Sequence, residues 1–354
     1  MTLALLWLAL GMTANDLSRV RSVEVIPREL RLDGPERRGQ LVVTGTLANG
    51  DRIDLTREPN LRFHWSTPEL AKVVDAGEVA PIRDGVASLT IAYQGFEAIT
   101  RVVVSGVDEP EPLEFARDVV PILTRLGCNG GACHGKSSGR TGFHLSLFGS
   151  DPSRDFDSLT REARGRRVFP AAPEASLALL KPSASVPHGG GRRLLPDSPE
   201  YQTLRRWIAE GSPGPTSNPP QSQSARLVIE PERGTLLPGT TQQLRVVLID
   251  APRIEVDVTR LTRFESLSPE VAEIDAEGRV RIGARVGEAI LSAQYAGHST
   301  VARFAVPRRP SSPGSFPEPR NVVDQWIFAR LRALGESPAG PCSDAEFARR
   351  VALD

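Results

Sequence analysis

The same short pattern occurs twice in this chain, about 200 residues apart. Thr67-Pro68-Glu69-Leu70-Ala71 corresponds to Ser268-Pro269-Glu270-Val271-Ala272, and Ile91–Gly95 (IAYQG) corresponds to Ala293–Gly297 (AQYAG). A repeat this widely spaced makes two similar units with something different between them. Each unit opens on a β-rich run, Ser22–Pro27 (SVEVIP) or Arg226–Pro231 (RLVIEP). Each then closes on strand-like sequence, Ser88–Tyr93 or Ala289–Tyr295, and neither holds a helix-period stretch of any length. Short strands and frequent turns in a unit of roughly 80 residues predict an antiparallel β-sandwich.

Three Pro/Ser-rich or acidic stretches mark the joints: Val107–Glu114, Ser212–Ser224 and Pro307–Arg320. Proline removes backbone donors and disfavours helix at the preceding residue, so these read as extended linkers. The expected organisation is a β-sandwich at 22–106, a middle domain at 115–213, a second sandwich at 226–306, and the start of a truncated helical domain at 321–354. In that last segment Val323, Trp326, Ile327, Leu331 and Leu334 share a helical face, and Ser343-x-x-Glu346 reads as a capping box opening a second helix. The ten apolar residues Leu3–Met12 suit the core of an export signal, which gives residues 1–14 as a signal peptide and an exported protein of periplasm or cell surface. The alternative for that run is a first strand or buried helix. It is too short for a spanning helix, and no other apolar run reaches the ~20 residues a bilayer requires. Forty-three basic residues balance 43 acidic ones, which argues against a nucleic-acid binder.

The middle domain carries the chemistry. Phe115 onward reads FARDVVPILTRLGCNGGACHGKSSG, which places Cys128, Cys133 and His134 directly after a short helix. Two thiols and an adjoining His are what a covalently attached haem requires: sulfur for the two vinyl groups and imidazole for iron. The spacing is C-x4-C-H, two residues longer than the common form, and Asn129-Gly130-Gly131-Ala132 is small enough to loop out. Glu200–Gly211 is an amphipathic closing helix with Leu204, Trp207 and Ile208 on one face. Two other readings stay open. Cys128 and Cys133 could form a disulfide within an exported structural or adhesive surface protein that has no haem. Alternatively the trio could hold zinc with His144 or His188.

With these residues in view, the flanking units resemble bacterial Ig-like domains of group 2, which implies spacing or adhesion. The middle segment resembles the planctomycete-type cytochrome c domain family through Asp118–Leu123, Gly127–Gly135, Gly142–Gly149, Gly165–Val168, Ser176–Pro182, Pro187–Gly191 and Trp207–Gly211. The resemblance implies two Ig-like all-β sandwiches flanking an all-α cytochrome c-like domain. It also implies one covalent haem c held by Cys128, Cys133 and His134, and electron transfer to an unidentified redox partner protein.

The sixth iron position normally falls to Met, yet Met1 and Met12 both lie in the presumed signal. His188, in the P-H-G-G-G run before the closing helix, is the preferred candidate, followed by His144 and then an open site. Arg166, Arg167, Arg192 and Arg193 occur in two G-R-R triplets suited to haem propionates or, equally, to a solvated surface. No acid/base pair, nucleophile triad or phosphate loop is evident, so no catalytic role is assigned. Expected partners exclude nucleic acid and integral membrane, and include cell-surface or polysaccharide contacts through the β units.

Overall fold

The computed structural model describes residues 20–48, 50–75, 77–215, 225–250, 254–308 and 315–353. The apolar run assigned to a signal peptide lies outside them, as do parts of the second and third linkers.

Alternation of buried and exposed residues builds the first unit. In β1 (Val20–Ile26), Val20, Val23 and Val25 face inward and the charged residues face out. The remaining strands are β2 (Glu29–Asp33), β3 (Gly39–Gln40), β4 (Val42–Leu47), β5 (Arg52–Asp54), β6 (Arg62–Trp65), β7 (Ala71–Asp75), β8 (Glu78–Pro81), β9 (Gly85–Tyr93) and β10 (Phe96–Ser105). They form sheets ordered β1-β4-β5, β2-β10-β9-β6 and β3-β8-β7. Between the sheets lies a core that includes Leu30, Leu41, Leu55, Leu89, Ile91 and Val102.

The second unit repeats this arrangement. Its strands are β11 (Arg226–Glu230), β12 (Arg233–Thr235), β13 (Thr241–Gln243), β14 (Arg245–Asp250), β15 (Ile254–Asp257), β16 (Arg263–Ser266), β17 (Ala272–Ile274), β18 (Arg279–Ile282), β19 (Gly287–Tyr295) and β20 (His298–Val306). Their order is β11-β14-β15, β12-β20-β19-β16 and β13-β18-β17, the same plan element for element. Both repeated motifs have a structural reason. The Pro-Glu pattern is a turn that delivers the chain into β7 or β17, closed by Leu70 N–H on the Thr67 carbonyl or Val271 N–H on that of Ser268. The Tyr-x-Gly pattern is the β9–β10 or β19–β20 hairpin turn, with positive φ at Gln94 and Gly95 and again at Ala296 and Gly297.

The middle segment is not an all-α domain, and here the expectation is corrected. Of the described residues, 34% are in strands and 22% are helical. In this segment α1 (Val120–Arg125), α2 (Pro152–Thr160), α3 (Leu177–Leu180) and α4 (Pro199–Ala209) are short, separated by turns and single 3-10 turns. Gly127, Pro182 and Gly211 follow α1, α3 and α4 within two residues, and α2 gives way to positive φ at Ala163 and Arg164, leaving much of the backbone irregular. A third core, including Phe115, Val119, Ile122, Leu159, Leu179, Leu204, Trp207 and Ile208, still forms because the short helices present one apolar side each.

Ion pairs bind the three cores together. Arg260 of the second sandwich pairs with Glu200 at 2.9 Å on α4 and with Glu78 at 3.0 Å in the first sandwich, so one side chain touches all three units. Arg125 of α1 joins Glu200 at 2.7 Å and Glu277 at 3.2 Å, and Arg37 of the first sandwich reaches Asp118 at 2.9 Å. The chain ends in α5 (Val322–Leu334) and α6 (Asp344–Val351), the latter with the Ser343/Glu346 capping box. Neither helix buries a residue.

Candidate ligand cavity in the middle domain

The loop carrying the cysteines is shaped by its own backbone. Cys128 N–H continues α1 by donating to the Leu123 carbonyl, and His134 N–H closes the loop on the Cys128 carbonyl at 2.9 Å. Asn129 is fully buried and donates from Nδ2 to Thr124 Oγ1 at 2.8 Å, which ties the loop to the helix. Gly135 is required by close approach: a Cβ there would lie 2.0 Å from the Asn129 carbonyl oxygen.

This loop forms one wall of a cavity of about 620 Å³, within the range of small-molecule and cofactor sites. Leu123 of α1 and Leu126 at its C-cap, Leu204, Trp207 and Ile208 of α4, and Phe143, Leu145 and Leu159 supply an apolar lining. Cys128, Cys133, His134 and His188 also line it. Both cysteines are free, so the disulfide alternative is not realised. Burial, with the neighbouring Cys133, pushes the Cys128 thiol up to about 12.

The two imidazoles face the same space. Their ring centres are 6.4 Å apart and their planes differ by 11°. His134 Nδ1 lies 3.2 Å from the Phe143 carbonyl, and His188 Nδ1 lies 2.9 Å from the Gly191 carbonyl. A carbonyl can only accept, so each Nδ1 carries a proton, and in the neutral ring the lone pair then falls on Nε2. Burial lowers the proton affinity of His134 further, against the Phe143 hydrogen bond, with His188, Arg140 and Arg167 adding to the decrease. Among the described residues, no group of three or more His, Cys, Asp or Glu is placed to hold a metal ion. The chain thus offers two imidazoles and two thiols around a cavity, but no complete coordination shell for a bare ion.

The four arginines separate. Arg166 and Arg193 line the cavity and are exposed, whereas Arg192 does not reach it. Arg167 also lines it but is buried. Its guanidinium donates to the carbonyls of Ser158 at 2.6 Å and Gly142 at 2.8 Å and lies 4.5 Å over the Phe143 ring. Those bonds give Arg167 a framework role. His144 lies on no strand. It follows an isolated bridge between Arg140 and Phe143, outside the cavity lining. Sequence reasoning missed Arg140 and Lys181, which also reach the cavity. No local pattern marks either residue.

No family model matches this chain, and no curated protein matches it. Solved structures similar to it include domains 5–6 of the S-layer protein SbsC, at 11% identity and TM-score 0.31, covering 81% of this chain and 98% of that one. Others are two Yersinia pseudotuberculosis proteins. The adhesin InvE has 10% identity and TM-score 0.17, covering 87% and 67%, and InvD has 10% and 0.18, covering 84% and 60%. The family resemblances drawn from sequence are thereby corrected. Neither the cytochrome c family nor the group-2 Ig-like family has a model that matches this chain. The electron-transfer role that rested on the cytochrome resemblance is withdrawn with it. Among the described residues no helix is long and apolar enough to cross a membrane.

Proposed function

We propose that this chain is an exported structural or adhesive protein of the cell surface. The observation that carries the reading is the joining of two like β-sandwiches around a middle unit, with Arg260 ion-paired to both of the other units. Such a block holds its ends at a fixed separation, which suits a spacer or a contact surface to polysaccharide. Protease treatment of intact cells producing the full chain tests it. Digestion from outside is expected, and a chain that becomes cleavable only after the inner membrane is ruptured overturns the proposal.

A second reading concerns the cavity, and its geometry favours it specifically. Two thiols and a neutral imidazole with a free Nε2 surround an apolar space of about 620 Å³, and the donors missing from the chain are those a planar macrocycle brings with it. In this reading the cavity holds one haem, with Cys128 and Cys133 as attachment points and His134 as the iron ligand. Each attachment adds S–H across a vinyl C=C, sulfur to one carbon and hydrogen to the other, so no external oxidant is consumed. Arg166 and Arg193, exposed side chains of the lining, would be available to pair with the haem propionates. Bound there, the group supplies an iron centre that the chain alone lacks. Chain matured in a periplasm with a cytochrome c maturation system should show haem that survives denaturing electrophoresis, and the double replacement Cys128→Ser/Cys133→Ser should lose it. Wild-type protein without covalent haem under those conditions overturns this reading.

A further inference from the structure

We infer that His188 is a second iron ligand, opposite His134, and that it closes the haem-sized site to small exogenous ligands. The inference rests on the haem reading above.

The distance between the imidazoles is the first argument. A metal bound to two opposed Nε2 atoms at about 2.0 Å each separates the ring centres by about 6 Å, and the observed separation is 6.4 Å with nearly parallel planes. Tautomer is the second. The Gly191 carbonyl accepts from Nδ1 of His188 just as the Phe143 carbonyl accepts from that of His134, so in both rings Nε2 is the nitrogen left for a metal. A carbonyl on the far ring nitrogen is the usual partner that orients a ligating His.

The third argument is that the loop is already shaped around His188. Gly191 N–H returns to the His188 carbonyl at 3.0 Å, Lys181 Nζ donates to the Pro187 carbonyl at 3.2 Å, and Arg193 Nε donates to the Gly190 carbonyl at 2.9 Å. Arg193 N–H also bonds the Pro182 carbonyl at 2.7 Å. The loop is therefore pinned on both sides of the histidine, which lowers the ordering cost of presenting the ring. His144 lies outside the lining and has no comparable position.

The test uses the full chain matured with haem. Wild type should be low-spin, lack the near-infrared band of sulfur ligation, and bind no carbon monoxide. His188→Ala should keep its covalent haem, become high-spin, and bind carbon monoxide stoichiometrically. Free imidazole should restore the low-spin spectrum, a rescue that a merely structural role for His188 would not give. His144→Ala should match wild type. If His188→Ala fails to fold, His188→Met serves instead and should show the sulfur band. Covalent haem whose low-spin spectrum persists in His188→Ala, or that is high-spin already in wild type, overturns the inference while leaving the haem reading intact. Absence of covalent haem from wild type overturns both.

Discussion

The main-chain N–H of Gln40, in the first sandwich, donates to Asp257 Oδ2 of the second at 3.0 Å. The reverse bond also exists: Gln243 N–H of the second sandwich donates to Asp54 Oδ2 of the first at 2.7 Å. Each aspartate uses its other oxygen at home, Asp257 on Thr259 N–H and Asp54 on Thr56 N–H. Equivalent residues of the repeat thus meet each other reciprocally, as they do in an isologous dimer. The two sandwiches are a dimer built within one chain, with the middle domain inserted between its halves.

The two aspartates differ in what else they hold, and this sets the first prediction. Asp257 also receives Arg245 Nε at 2.8 Å, with both side chains buried. Asp257→Ala leaves a buried guanidinium short of a partner, at a cost of about 3–5 kcal/mol. Asp54 has no arginine bonded to its carboxyl, and burial raises its pKa against the bonds from Thr56 and Gln243. Asp54→Ala loses hydrogen bonds worth about 1–3 kcal/mol, offset by no longer burying a charge. Urea unfolding should rank the Asp257 variant as the less stable, and equal or inverted losses refute the assignment.

Glu200 makes the junction acid-sensitive. Burial opposes its charge, yet Arg125 and Arg260 outweigh burial and hold its carboxyl below the usual range. A depressed folded pKa gives stability that is present above the unfolded value, near 4. That stability is lost as pH falls through the folded pKa. Wild type should therefore lose more melting temperature than Glu200→Gln as pH drops from 7 toward 3, because the variant lacks this proton uptake. Parallel pH profiles would remove Glu200 from the account.

Gly135→Ala tests the loop geometry without touching a cavity residue. The new Cβ would meet the Asn129 carbonyl oxygen at 2.0 Å, and that oxygen is already fixed by Phe148 N–H at 3.1 Å. Neither side can move cheaply, so a loss of about 1–3 kcal/mol is expected. Near-ultraviolet circular dichroism and thermal melting would register it, and an unperturbed variant would mean that the loop packs differently.

Two tryptophans should behave oppositely. Trp207 is fully buried and donates from Nε1 to the Pro213 carbonyl at 2.9 Å. Trp207→Ala should cost about 3–5 kcal/mol. Trp326, on α5, is 75% exposed, and Trp326→Ala should stay within about 0.5 kcal/mol. A large loss in the second variant would show that α5 is covered in solution.

Local sequence rules account for the strands, turns and caps. Period-2 alternation marks strands such as β1, the Tyr-x-Gly turns mark the hairpins, and Ser343 with Glu346 marks a helix start, because each is decided by residues a few positions apart. The apolar side of α4, with Leu204, Trp207 and Ile208, was legible for the same reason. The middle domain's departure from an all-helical plan was less so. A helical face is a local pattern, whereas the interruptions between these helices, glycine or proline at three of them and positive φ at Ala163 and Arg164 after α2, act on the whole segment. What no sequence window contains is the meeting of His134 with His188, or of Gln40 with Asp257. The same holds for the bond from Arg167 to the Gly142 carbonyl. Those contacts join positions far apart in the chain, and only tertiary packing, within the middle domain for the histidines and between the sandwiches for Gln40 and Asp257, sets the distances at which charge, hydrogen bonding and ligation act.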